Sequence, residues 1–307
     1  MSIPRAIRFA FQALEQSEGV GARVRRSIGT PKLKNLSPFL MLDHFTVYPG
    51  SGFPDHFHRG QETITILQKG GVDHEDFNGN KGTIWPGDLQ FMTAGRGIMH
   101  AEMPHDSGDG SPSVGLQLWV DLPRELKMVE SRYRDLRAKE IPQVEVDAGK
   151  VLVKVISGKS HGVDSVRDLA YTPVWIFDIT IKPGGKIVQE LPKDWNAFAY
   201  TLAGAVSLSD GEQPENKKTI TPYHNVVFEN DFTADAVVMA VEDGASEDAH
   251  LMLFAGTPLD QPVMQYGPIV MTDKEEVVQA MMDFQSHSNG FERAKGWQSE
   301  IGKSMAH

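Results

Sequence analysis

The chain has 307 residues, enough for two domains or one large β domain, and 40% of them are hydrophobic, which supports a real core. Its 30 basic and 41 acidic side chains leave a net charge of −11, which argues against broad binding to nucleic-acid phosphates. Cysteine is absent, so disulfides, thiolate catalysis and cysteine-held zinc or iron–sulfur clusters are excluded, and any metal must be held by nitrogen and oxygen.

The opening residues MSIPRAIRFAFQALEQ hold no extended apolar stretch, and no apolar run later approaches a membrane span, so neither a secretory signal nor a membrane anchor is expected. Arg23, Arg25, Arg26, Lys32 and Lys34 form the best basic patch and read as a solvated surface of strand and turn residues. Short strands punctuated by glycine and proline follow at 37–45, 61–69, 81–85, 88–93 and 114–120. Thr63, Thr65 and Leu67 alternate with Ile64, Ile66 and Gln68, so the 61–69 strand reads as half-buried with its inner face undecided. Residues 121–149 read as a charged connector interrupted by Pro123 and Pro142.

The second half offers strands at 150–157, 173–181, 186–190, 197–208, 219–228, 235–241 and 250–255. Such a series suits a sandwich or barrel and lacks the alternating long helices of a dinucleotide-binding sheet. The bend before the His56 segment and the strand ending in Lys69-Gly70-Gly71 find a weak echo in 183–190 followed by FAYTLAGAV at 198–206. Two related domains follow from that echo, divided as 1–135, which carries the histidine pair, and 136–307. One helix is predicted at 273–286, capped by Thr272 with Glu275 completing a capping box. Val277, Met281 and Phe284 form its apolar stripe, widened by Val278 and Met282. Phe291 and Trp297 predict that part of the tail from 288 to 307 docks.

The chemistry-bearing residues lie in the first half. His56 and His58 follow a Gly/Pro-rich bend at 50–54, and His100 stands with Glu102 in a later segment. Residues i and i+2 of a strand face one side, so each pair can point into one cavity, and two such segments can close on a single ion. Imidazole and carboxylate suit Fe(II), Mn(II), Ni(II), Co(II), Cu(II) or Zn(II), and four protein ligands leave two places of an octahedral shell open. Glu102 is the better carboxylate ligand because it pairs with His100; Glu62 remains a fourth ligand, a general base or an orienter of an imidazole. Asp55 caps the local turn, and His74, His105, His161, His224, His250 and His287 are read as structural. Gly95-Arg96-Gly97 allows a tight path before His100 and lacks the lysine and following helix of a phosphate loop.

The segments EGVGARVRRSIG (18–29), SPFLMLDHF (37–45), FPDHFHRGQET (53–63), MTAGRGIMHAEMP (92–104), AGTPLDQPVMQYGPIVM (255–271) and NGFERAKGW (289–297) resemble the pirin family of the cupin superfamily, over nearly the whole chain. The resemblance implies an all-β bicupin: two face-to-face cupin β-sandwich or barrel domains with a short C-terminal helix, the helix at about 273–286 counted with the second domain. It implies one Fe(II)/Fe(III) ion in the N-terminal domain, held by His56, His58, His100 and Glu102, with other divalent transition metals able to substitute, and a C-terminal domain without a metal site. The wider cupin pattern G-x5-H-x-H-x3-E fits Gly50, His56, His58 and Glu62, and in many cupins that glutamate binds metal, so Glu102 and Glu62 both stand as candidate catalytic bases. Gly95 stands where the second cupin motif usually has proline, a departure that fits the pirin-like segment.

Two functions are implied. One is a quercetin 2,3-dioxygenase, taking a flavonol-like aromatic molecule and O2 and releasing carbon monoxide, with Phe53, Phe57, Phe91 or Met92 lining the pocket. The other is a redox-sensitive iron-binding transcriptional cofactor that meets transcription regulators through protein contacts, the 23–34 patch among them. A monomer in nucleus and cytoplasm is expected, with no membrane association and no direct sequence-specific binding of nucleic acid.

Overall fold

A computed structural model describes residues 2–166, 169–211, 216–230 and 232–303. It divides into two compact units, one of Glu15–Ala138, Ala170–Thr172 and Leu259–His307, the other of Met1–Leu14, Lys139–Leu169 and Pro173–Pro258. Each unit is built on a seven-stranded and a four-stranded antiparallel sheet. In the first, the large sheet runs in the order Arg132–Leu136, Leu89–Thr93, Gln61–Lys69, Ser113–Asp121, Phe39–Val47, Ala22–Ile28, Glu15–Glu18, and the small sheet Phe53–His58, Ile98–Pro104, Val72–Asp76, Lys81–Ile84. In the second, the orders are Ile7–Gln12, His224–Phe228, Asn196–Ala203, Ala249–Gly256, Val174–Ile181, Val151–Ser157, Gln143–Val146 and Lys186–Glu190, Ala236–Ala240, Val206–Ser209, Lys217–Ile220. The chain is thus two cupin-like β domains with one α-helix among the described residues.

The expected boundary at 135/136 needs correction at both ends of the chain. The first strand, Ile7–Gln12, pairs with His224–Phe228, and Ile7 sits in the core of the second unit beside Val226 and Phe228. The helix belongs with the first unit, because Phe284 stacks on Phe57 at 3.9 Å and Val277, Ala280 and Met281 pack on Ile269 and Met271. The 121–149 region is no plain connector: Arg132–Leu136 adds an edge strand beside Leu89–Thr93, and Gln143–Val146 one beside Val151–Ser157. The spans expected at 197–208 and 219–228 are each two strands, Asn196–Ala203 with Val206–Ser209 and Lys217–Ile220 with His224–Phe228. The Gln61–Lys69 strand is buried on both faces through Leu67, which is why its alternation carried no inside-out signal.

The helix spans Lys274–Ser286. Its cap is Asp273, whose side chain accepts from Glu276 N–H at 2.8 Å, and the reciprocal bond comes from Glu276, whose Oε2 accepts from Thr272 N–H and Oγ1. The expected Thr272/Glu275 box is therefore shifted by one residue. Val278 and Met282 are 52% and 55% exposed and do not widen the stripe.

One buried cation ties this C-terminal region to the strand that carries the histidine pair. Arg59, 1% exposed, donates from Nη1 to Asp283 Oδ2 at 2.7 Å, from Nε to Arg96 O at 2.6 Å and from Nη2 to Asn289 O at 2.5 Å. Its guanidinium also lies 4.6 Å from the centre of the Phe291 ring. Gln279 and Asn289 amides also donate to the Asp283 carboxylate, so each charge has three hydrogen-bond partners. Arg59→Ala leaves Asp283 buried without a cation and is expected to cost about 3–5 kcal/mol in denaturant unfolding. The double variant Arg59→Met/Asp283→Leu, which removes both charges, is expected to recover much of that loss.

Candidate metal centre

The strand Phe53–His58 lies antiparallel to Ile98–Pro104 with His100 directly opposite His56 and Ile98 opposite His58. Alternation along Phe53–His58 then turns His56 and His58 to the same face as His100. The register shifts between His100 and Glu102, so that Glu102 faces Phe53. Two glycines make the corners feeding these strands possible. Gly60 (φ +80°) and Gly95 (φ +50°) sit in the left-handed region, and a Cβ would strike the carbonyl oxygens of Val270 and Val129 respectively.

The three imidazoles converge. Their potential ligand atoms all lie within 4.8 Å of one another, and ring centroids are 4.3 Å (His56–His100), 4.9 Å (His56–His58) and 5.1 Å (His58–His100) apart. A nitrogen about 2.1 Å from an ion puts its ring centre about 3.2 Å away, and two such rings at right angles stand about 4.5 Å apart, so the observed spacing fits one ion. Glu102 Oε2 is 4.0 Å from His100 Nε2. Donors in an octahedral shell stand at most about 4.2 Å apart, and among the described residues the ligand atoms that all lie within 4.8 Å of one another are those of the three histidines, so Glu102 stands beside the cluster rather than within it.

The hydrogen bonding sorts the nitrogens. His56 Nδ1 is 2.8 Å from Pro54 O, to which it donates, leaving Nε2 as the lone-pair atom. His58 Nδ1 is 2.8 Å from Gln61 Nε2, while Gln61 Oε1 is buried without a partner; turning the amide over lets Oε1 accept the Nδ1 proton and likewise frees Nε2. His100 is 1% exposed, and neither of its ring nitrogens has a hydrogen-bond partner. An orphaned imidazole in a dry site is costly unless something else satisfies it, and a metal ion does so. Burial holds all three imidazoles below the ordinary range, His58 and His100 far below it, with the neighbouring histidines adding to the effect at both; they are therefore neutral, which is the ligand form. Burial also pushes Glu102 up to about 7, against hydrogen bonds from Thr65 Oγ1 (3.3 Å) and Gln117 Nε2 (3.3 and 3.4 Å) that favour the carboxylate.

His56, His58 and Glu102 face a cavity of about 890 Å³ whose other walls include Val24, Met41, Phe45, Phe53 and Trp119. Trp119 also sets its ring edge-on to His58 at 5.0 Å. Glu62 is absent from this cavity, which corrects its candidacy as ligand and base. It sits on the opposite face of its strand from Gln61 and Thr65 and accepts from Thr93 Oγ1 (2.7 Å) and from the backbone N–H groups of Tyr171 and Thr172. Of the aromatic candidates only Phe53 lines the cavity: Phe57 points away to Phe284 and Phe291, Met92 packs with Phe291, and Phe91 is core. Gln61, Thr65 and Gln117 were not foreseen. Their signal is the two-residue spacing that puts Gln61 and Thr65 on one face, which the sequence could not aim. Asp55 caps no turn; its carboxylate accepts from Ser299 N–H and Oγ of the docked tail, where Phe291 is also buried.

In the second unit, the strands at the places of Phe53–His58 and Ile98–Pro104 bury Ile187, Gln189, Val237 and Met239. Three of these four are part of an apolar core.

Comparison with known proteins places the chain. The family model described as Pirin matches residues 21–120, and that described as Pirin C-terminal cupin domain matches residues 176–290. The chain is 46% identical over 303 residues to the protein named Pirin of Homo sapiens, covering 98% of this chain and 100% of that one. It is 44% identical to a pirin-like protein of Solanum lycopersicum, covering 97% and 98% of the two chains. Among solved structures, a quercetin 2,3-dioxygenase from Acinetobacter baumannii superposes with TM-score 0.83 at 29% identity, covering 94% of this chain and 99% of that one.

His100→Ala is expected to lower bound metal per chain by at least about tenfold, read by elemental analysis after loading and desalting. Glu62→Gln is expected to leave metal content unchanged and to cost about 1–3 kcal/mol of stability, because the carboxylate anchors buried backbone donors.

Proposed function

The chain belongs to the pirin family, and on that footing we propose that it is a metal-dependent dioxygenase of the quercetin 2,3-dioxygenase type. The observation that carries this is the buried, partnerless His100 imidazole closing with His56 and His58 at a large, mostly apolar cavity. Similarity to the A. baumannii enzyme supports the same reading. A bound redox-active ion, iron by family expectation, would lower the cost of forming a flavonolate and supply the chemistry that joins it to dioxygen.

The residues have separable tasks. The three imidazoles, neutral through burial, offer lone pairs without a competing proton. Glu102, a buried carboxylate beside the imidazoles, accepts the proton of the flavonol 3-hydroxyl. Thr65 and Gln117 hold that carboxylate by hydrogen bonds to its oxygens. Val24, Phe45, Phe53 and Trp119 give the rings apolar walls and exclude water. Overall, one flavonol and one O2 give one ring-opened ester and one carbon monoxide, with all atoms accounted for.

The regulatory alternative finds less support. Arg23 and Arg25 pair with Glu15, and Arg26 with Glu18 and Asp43, so the arginines of the 23–34 patch are neutralised within the chain.

Protein loaded with Fe(II) without oxygen and then mixed with quercetin and air is expected to consume flavonol and release an equal amount of carbon monoxide. His56→Ala/His58→Ala is expected to match the metal-only blank. Glu102→Gln is expected to lower kcat by about a hundredfold. Carbon monoxide from the intact protein no greater than from free metal would end this reading.

A further inference from the structure

A row of polar side chains crosses the inner face of the large sheet. Asp135 stands opposite Gln90, Gln90 opposite Thr65, Thr65 opposite Gln117, Gln117 opposite Asp43 and Asp43 opposite Arg26, a single register line over six strands. Directly opposed residues share a face. Thr65, Gln90 and Asp43 are buried, Gln117 and Arg26 partly so, and Asp135 at the end is exposed; burying polar groups costs free energy unless they are bonded, so the inner part of the line calls for an explanation.

Four members, Thr65, Gln117, Asp43 and Arg26, line the cavity. Part of their bonding is internal. Gln117 Nε2 donates to Thr65 Oγ1 at 3.2 Å as well as to Glu102, and Arg26 grips Asp43 through Nε and Nη2 at 2.8 and 2.7 Å. Two acceptors are left over. Gln117 Oε1 is buried and has no partner, and the Asp43 carboxylate keeps lone pairs beyond the two that Arg26 takes. They lie on neighbouring strands, about 4.8 Å apart in the hydrogen-bonding direction, and lead away from Glu102. The register lines on either side are apolar at the cavity, with Met41 and Trp119 on one and Val24 and Phe45 on the other.

An acceptor row between two apolar bands matches the edge of a hydroxylated aromatic ring. It does not match an anion: Arg26 is already held by Asp43 and by Glu18 at 2.6 Å. It does not match a bare hydrocarbon, which would leave Gln117 Oε1 unsatisfied. We propose that Gln117 and Asp43 are specificity-determining residues that accept hydrogen bonds from substrate hydroxyl groups, Gln117 close to Glu102 and Asp43 one strand farther along the cavity. The preferred occupant is then a neutral polyphenol, hydroxylated at both ends. This deepens the flavonol reading and rests on it.

The test is equilibrium binding, by fluorescence titration of the nickel-loaded full chain with oxygen excluded, of two flavonols: quercetin, hydroxylated on its pendant ring, and galangin, which lacks those hydroxyls. The intact protein is expected to prefer quercetin by about tenfold or more. Asp43→Asn is expected to reduce that preference to about threefold or less while leaving galangin affinity within about twofold, and Gln117→Met to reduce the preference as well. The second variant keeps the question answerable if the first fails to fold. Equal affinity of the intact protein for both flavonols overturns the proposal alone, as does a preference that survives both substitutions. Binding of neither flavonol overturns it together with the flavonol reading.

Discussion

The register of one antiparallel strand pair governs the site. His100 opposite His56 is what brings a third imidazole to a histidine pair, and a slip of one residue would turn His100 to the other face. The register is held from outside, by the glycine corners at Gly60 and Gly95, by Arg59 immediately after His58, and by the aromatic side chains packed on the outward face. The ligands are therefore positioned by parts of the chain that never touch an ion.

Those parts explain what could and could not be read from the sequence. The histidine set was legible because ligand chemistry and two-residue spacing are local. The β class was legible because glycine and proline punctuate short apolar runs. Glu62 was not, because its strand is buried on both faces and alternation cannot tell which buried face holds the cavity. The partners of the charged patch at 23–34 were not legible for a related reason: Glu15, Glu18 and Asp43 come from neighbouring strands. The first strand and the helix were assigned to the wrong units because proximity along the chain says little about pairing in sheets closed by distant segments.

Both units use the same order of four strands in the smaller sheet, yet they differ in what that sheet turns inward. Where the first presents histidine and glutamate, the second presents Ile187, Val237 and Met239 within an apolar core, with Gln189 bonded to Ser160. The scaffold tolerates either filling because backbone ladders, not side chains, close the sheets. Chemistry is thus a choice of a few inward positions on a common frame.

Phe57 separates the two histidines in sequence and leaves the sheet on the other side, stacked on Phe284 and edge-on to Phe291. The pleat of a single strand thus couples an imidazole pair to the helix Lys274–Ser286, more than two hundred residues away in sequence. Optical or magnetic spectra of a bound ion would consequently respond to loosening of that helix, making the metal a built-in reporter on the helix's docking.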